Sequence, residues 1–191
     1  NKELLVIKDN SYLARKVFET SEGLSKYCKD ETDDIKTKID EVVPLYDIEM
    51  EIRRCILSED EIADDASSEL MHIRKSIFKN QDAIKDKLLS FTRGEKYRKF
   101  LQDNIITMRQ DRYVIPVKNE YRNEVKGVIH DTSQTGSTLF IEPIEIVNLN
   151  NKIRELLTEE KKEIERILRK LSEQCSVYTH EILNNFNICR Y

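Results

Sequence analysis

Helix breakers crowd into the middle of this 191-residue chain and are scarce on either side of it. Three of the four glycines (Gly94, Gly127, Gly136) and two of the three prolines (Pro116, Pro143) fall between residues 94 and 143, and none follows Pro143. Glycine costs a helix interior backbone entropy and proline removes a donor, so both are excluded from long helices. The partition therefore predicts helix, then a β-rich insert, then helix.

The flanks carry the matching periodicity. After Pro143, apolar residues recur at Ile146, Leu149, Ile153, Leu156 and Leu157, then Ile164, Leu168, Leu171, Cys175, Tyr178 and Ile182, mostly in steps of three and four. That is a helix with one buried stripe, expected from about residue 145 to 183 and roughly 58 Å long at ~1.5 Å per residue. Glu160 interrupts the stripe, and Glu159 with Lys162, Glu163 with Arg166 and Glu165 with Arg169 stand at spacings that face opposite charges. Upstream, Ile62, Ala66, Leu70, Ile73, Ile77, Ile84, Leu88 and Phe91 repeat the pattern and supply its partner. Two start signals compete for that helix, Ser58 with Glu61 as a capping box and Asp65 before Ala66. Ahead of it, Leu5, Tyr12, Val17, Leu24 and Tyr27 predict a first helix. Ile35, Ile39 and Val42 predict a short second one ended by Pro44, and Ile48, Ile52 and Ile56 a third.

Between the long helices the period changes. Ile105 to Met108 and Arg112 to Val117 are rich in β-branched and aromatic residues around the polar turn Gln110-Asp111. Val125 to Asp131 and Thr138 to Ile141 flank the turn Ser133-Gln134-Thr135-Gly136. The expected fold is mainly α: a long antiparallel helical hairpin with a small four-stranded antiparallel sheet inserted at its tip. The divisions are 1–60 for a helical base, 61–103 for the first long helix, 104–143 for the sheet and 144–191 for the second.

Composition narrows the function. With four glycines there is neither a Gly-x-x-x-x-Gly-Lys-Ser/Thr nor a Gly-x-Gly-x-x-Gly, so neither phosphate-cradling loop is present. Cys28, Cys55, Cys175 and Cys189, with His72, His130 and His180, are scattered without Cys-x-x-Cys, which argues against a zinc ribbon and a disulfide framework. The carboxylates of the last helix are not joined by a Glu-x-x-His, the signature of a bundle metal site. His130, Asp131, Ser133 and Ser137 are close in sequence, but strand alternation is expected to turn His130 and Asp131 to opposite faces, a poor triad. No catalytic residue and no metal ligand is assigned. No apolar run of about 18 residues and no secretory leader pattern occurs, and the chain reads as cytoplasmic. Starting at Asn1 and stopping within a helical pattern, it is expected to be a piece of a longer protein.

Charge is uneven. From Arg93 to Lys126 nine Lys and Arg (Arg93, Lys96, Arg98, Lys99, Arg109, Arg112, Lys118, Arg122, Lys126) face five acids, while the whole chain is at −4. A basic region on an acidic chain fits a phosphate backbone, and an ordinary solvated surface fits it too. The segment from Lys118 to Lys126, with three cations and Tyr121, reads either as a phosphate-facing finger or as a soluble hairpin connection.

Asp111-Arg-Tyr-Val-Ile-Pro-Val-Lys118, Gly127-Val-Ile-His-Asp-Thr-Ser133 and Gly136-Ser-Thr-Leu-Phe-Ile-Glu-Pro143 resemble the middle of the second branch of the MutS family. Leu149-Asn-Asn151, Glu159 to Leu168, Asp65-Ala-Ser67, Leu70 and Ile73-Arg74 fit the same pattern, so the resemblance covers about residues 45 to 190. Thr135 before Gly136 departs from it, serine being more usual. The resemblance implies the lever helices of a core domain with a β clamp between them. It also implies a parent protein that is a homodimeric DNA-binding ATPase using ATP and Mg, with a C-terminal Smr endonuclease domain. That parent would act in recombination suppression or in rescue of collided ribosomes. By carry-over, Lys118, Arg122 and Lys126, then Arg109 and Arg112, would touch double-stranded DNA or ribosomal RNA, with no cofactor in these residues. The alternative is a protein-interaction coiled-coil scaffold.

Overall fold

In the computed structural model residues 1–24 and 34–189 are described; Tyr27, Cys28 and Tyr191, and the side chains of Leu24, Ile35 and Lys96, lie outside the described residues. Two compact units emerge, one from Asn1–Met71 with Lys162–Tyr191 and the other from His72–Lys161. The chain is mainly α-helical with a small antiparallel sheet, as its glycine and proline partition requires. Among the described residues no helix is long and apolar enough to cross a membrane.

The first unit holds α1 (Lys2–Leu24), α2 (Asp34–Asp40), α3 (Tyr46–Cys55) and α7 (Thr179–Cys189), with the start of α4 (Ser68–Arg93) and the end of α6 (Ile144–Val177). Leu4, Ile48, Ile52, Ile56, Leu70, Ile167, Leu171 and Cys175 form its core. Ile48, Ile52 and Ile56 are buried as their spacing predicts, whereas on α1 Tyr12 is exposed and Leu4, Ser11 and Ala14 face inward instead. Tyr12 is held outside by cations, with the Arg15 and Arg53 guanidinium carbons 5.0 and 5.6 Å from its ring centroid. Asn185, buried, accepts from the Val43 amide at 3.0 Å and donates to the Val43 carbonyl at 2.7 Å, fixing α7 to the chain entering α3.

Two boundaries differ from expectation. α4 begins at Ser68, and its N-cap is Ser67, whose Oγ accepts the Leu70 amide at 2.9 Å and donates to Glu163 at 2.6 Å. Ser58 and Glu61 instead close a turn that pairs Ile56 with Ile62, and Asp65 sits in a single 3₁₀ turn, so Ile62 is core but not helical. The last helix breaks at Tyr178. Ser176 and Thr179 hydroxyls donate to the carbonyls of Glu173 and Ser176, and the Tyr178 amide shortens its bond to Cys175. Hydroxyls bonding to the backbone in this way compete with the helical ladder.

The second unit holds most of α4, α5 (Glu95–Arg98), the beginning of α6 and the strands β1 (Thr107–Arg109), β2 (Arg112–Lys118), β3 (Gly127–Thr132) and β4 (Thr138–Pro143). Here α4 and α6 run antiparallel, with Ile73 and Ile77 packed with Leu156 and Arg74 Nε bonded to Glu160 Oε1 at 2.7 Å. Glu160 thus does not interrupt the helical stripe; it fills a stripe position with an interhelical ion pair. The sheet order is β1-β2-β4-β3, antiparallel throughout. One face, bearing Ile115, Val117, Leu139 and Ile141, shares a core with Ile84, Leu88, Phe91, Ile146 and Ile153.

Candidate nucleic-acid interface

Strand order decides where the sheet's cations go. β2 and β3 both pair antiparallel with β4, so they run parallel to each other, and the segment joining them must travel the length of the sheet rather than turn back as a hairpin. Lys118 pairs with Thr138 at one end of β4, and Lys126 precedes Gly127, which pairs with Pro143 at the other. Five residue-to-residue steps separate the two ends, roughly 16 Å at ~3.3 Å each. Lys118 and Lys126 are therefore not neighbours. The connection between them is a strap tied down by Val125, which is buried, and by Tyr121, whose ring centroid lies 5.0 Å from that of Phe100.

At the Thr138 end several polar groups converge. Asn119 donates its backbone amide to Ser137 O at 2.9 Å and its side-chain amide to Gly136 O at 3.0 Å. Ser133 Oγ accepts the Thr138 amide at 3.1 Å, and the Thr135 and Ser137 hydroxyls lie 2.8 Å apart. Gly136, with φ +71°, supplies the left-handed turn residue. Lys118 Nζ donates to Lys99 O at 3.3 Å, which brings Lys99 beside it, and Arg122 is exposed one 3₁₀ turn further on. Among the described residues neither Lys99 nor Arg122 forms an ion pair, although the exposed acids Glu120 and Glu124 lie on the same strap. Lys99 and the hydroxyl turn escape sequence reasoning because Lys99 reaches Lys118 through Phe100 O, which accepts the Lys118 amide at 2.9 Å, and the turn through the pairing of Lys118 with Thr138.

Arg109 and Arg112 are placed differently from the carry-over. Gln110 and Asp111 have φ of 50° and 60°, the geometry of a two-residue hairpin turn, and that hairpin curls over the sheet face opposite the core. Arg109, on edge strand β1, reaches Asp131 on the other edge strand, Nε to Oδ2 at 3.2 Å, with its guanidinium 4.0 Å from the Phe140 ring centroid between them. It clips the curled sheet together. Arg112 donates to both oxygens of Glu142 at 2.8 and 3.1 Å and to Asn151 Oδ1 at 2.6 Å. Glu142, 1% exposed, also accepts from Asn150 Nδ2 at 2.7 Å and meets His130 Nε2 at 2.6 Å. Asn150 further bonds the Tyr113 amide and carbonyl, both at 3.2 Å, taking the place of a strand neighbour beyond the last β2–β4 pair, Ile115 with Ile141. Both arginines serve the sheet's own packing.

His130 and Asp131 also depart from expectation. The register slips between Ile129 and Asp131, a β-bulge, so His130 reaches Glu142 and Asp131 reaches Arg109 on one and the same face. Ser133 is spent on its own turn, and among the described residues no hydroxyl or thiol is hydrogen-bonded to the side chain of His130 or Asp131. Among the described residues no group of three or more His, Cys, Asp or Glu side chains is arranged to hold a metal ion.

Comparison with models of known families matches none. Comparison with curated proteins matches closely. The chain is 44% identical over 189 residues to the Endonuclease MutS2 of Alkaliphilus metalliredigens, covering 96% of this chain and 23% of that protein. It is 49% identical over 141 residues to the Endonuclease MutS2 of Ruminiclostridium cellulolyticum, covering 74% and 18%. To that of Clostridium botulinum strain Alaska E43 it is 48% identical over 147 residues, covering 77% and 18%. The chain spans about a fifth of the length of these relatives. With such identity across most of its residues, the chain belongs to the MutS2 family.

Proposed function

We propose that this chain is the lever and clamp portion of a MutS2-type protein, and that its sheet touches the phosphate backbone of double-stranded DNA, or of structured ribosomal RNA, without reading base sequence. The observation that carries the proposal is the Thr138 end of the sheet, where Lys99, Lys118, Arg122 and the Ser133–Ser137 hydroxyls converge on rigid backbone. Cations and hydroxyls are the groups that contact phosphate oxygens irrespective of base. Lys126 stands apart and makes a separate, weaker contact. Arg109 and Arg112 hold the sheet in shape.

The remaining functions belong to the longer protein and rest on family membership. It hydrolyses ATP with Mg and cleaves nucleic acid in domains outside these residues, acts as a homodimer, and serves recombination suppression, ribosome rescue or both. Motion driven by ATP reaches the sheet through α4 and α6. These residues do no chemistry of their own.

A second reading, a helical scaffold for a protein partner, is favoured by one feature: a cleft of about 340 Å³ lined by Val6, Asp9, Asn10, Leu13, Phe186 and Cys189, in which Val6 and Leu13 are about half exposed. Salt separates the readings. Anisotropy titrations of labelled duplex DNA and of a structured ribosomal RNA hairpin, across a salt series, are expected to show affinity falling steeply as salt rises. Absence of binding to both at low salt, together with salt-insensitive self-association, would replace the phosphate reading with the scaffold.

A further inference from the structure

The nucleic-acid reading leaves two arginines unused. Arg93 ends α4 and Arg98 ends α5, and with Leu89, Thr92 and Asn104 they line an open cleft of about 400 Å³. Their convergence is built by the backbone. Gly94 lets the two helices abut, since a Cβ there would stand 2.8 Å from the Ser90 carbonyl oxygen. Its carbonyl accepts the amides of Tyr97 and Arg98 at 3.0 and 3.1 Å, which folds Arg98 back toward Arg93. On the far side, Gln102 donates to Pro116 O at 2.9 Å and the Asn104 amide donates to Asp103 Oδ1 at 2.7 Å, fixing the segment that presents Asn104. Thr92, in the last turn of α4, is buried, its hydroxyl bonded to Leu89 O at 3.3 Å.

The carbonyl end of α4 accounts for one cation beside it. It does not account for a second brought from another element into the same concavity. Glu95 and Asp103 are the acids nearest in sequence, yet neither lines the cleft. Among the described residues neither arginine forms an ion pair or a side-chain hydrogen bond. Two exposed guanidinium groups without a protein partner, and the Asn104 amide lining the same cleft, make a receptor for a tetrahedral oxyanion, since arginine's fork matches phosphate oxygens two at a time.

We propose that the Arg93–Arg98 cleft binds a backbone phosphate, extending the contact surface from Arg122, Lys118 and Lys99 around α5. The inference rests on the nucleic-acid reading, and its test is kept separable from that reading by two arms. In the first, the unmodified chain and an Arg93→Gln/Arg98→Gln variant are titrated with duplex DNA across a salt series. The variant is expected to bind more weakly and to lose about two from the slope of log affinity against log salt. An unchanged slope in a variant that still folds overturns the cleft while leaving the sheet-end contact standing. In the second arm, inorganic phosphate is titrated while the arginine Nε resonances are followed. Arg93 and Arg98 are expected to shift saturably and exposed Arg154 not to. Shifts no larger than those of Arg154 overturn the cleft, even if duplex binds elsewhere. Saturable shifts without any duplex binding would keep the cleft as a phosphate site and remove the nucleic-acid reading.

Discussion

Arg112 shows how far a residue's role depends on its partners. By charge count it is one of nine cations in a basic stretch; in the fold it neutralises Glu142, a carboxylate 30 positions away with almost no exposure. Removing one partner of such a pair strands the other charge in the interior. We expect Arg112→Ala to lower the stability of the sheet-bearing unit by about 3 kcal/mol, measured by urea titration with hydrogen exchange on the strands. Little loss would mean the pair is not buried as described. Two other carboxylates contribute to the acid response. The Arg15 hydrogen bond holds Glu49 below the ordinary value of 4.5, and the Arg166 hydrogen bond does the same for Glu163. A depressed folded pKa means the unfolded chain binds protons more readily, so this stability is complete above 4.5 and lost as pH falls below it. Glu49→Gln should therefore flatten the decline of the urea midpoint as pH falls below the ordinary value of 4.5; an unchanged slope would exclude Glu49 as a source.

Among the elements, the strap between β2 and β3 carries the main lesson. Its residues predict a polar connection, and the structure makes it a crossover because β4, which follows it in sequence, inserts between the strands it joins. Pairing order is a non-local property that alternation within one strand does not encode. The helices were more legible. Ile73, Ile77, Ile84, Leu88, Ile146 and Ile153 are buried as their spacing predicts, whereas the capping role of Ser67 and the break at Tyr178 depend on hydroxyls whose competing partners the pattern does not rank. At Gly127 the backbone of β4 leaves no room for a side chain: an added Cβ would collide with Glu142 O and stand 2.7 Å from Ile141 Cγ2. Backbone cannot yield there as a side-chain tip would. Gly127→Ala is expected to cost about 3 kcal/mol and to loosen β3 selectively, seen as faster exchange of Ile129 and Asp131 amides than of β2. Wild-type protection in β3 would contradict the register.

For the molecule as a whole, the fold class and the family were readable because both rest on long contiguous patterns: the glycine and proline partition, the 3-4 stripes and the motifs from Asp111 to Pro143. The site was only half readable. The sequence located the basic region between Arg93 and Lys126, but the fold divides its cations into those spent on the sheet, Arg109 and Arg112, and those left facing outward at one end, Lys99, Lys118 and Arg122. The proposed phosphate contact rests on that division. Its most direct test is duplex DNA affinity measured across a salt series for three proteins: the unmodified chain, Lys99→Ala/Lys118→Ala/Arg122→Ala, and Lys126→Ala. We predict that the triple variant loses most of the affinity and about three from the salt slope, one for each phosphate contact removed, while Lys126→Ala loses at most one. Equal losses in both variants, or a triple variant that binds like the unmodified chain, would contradict it.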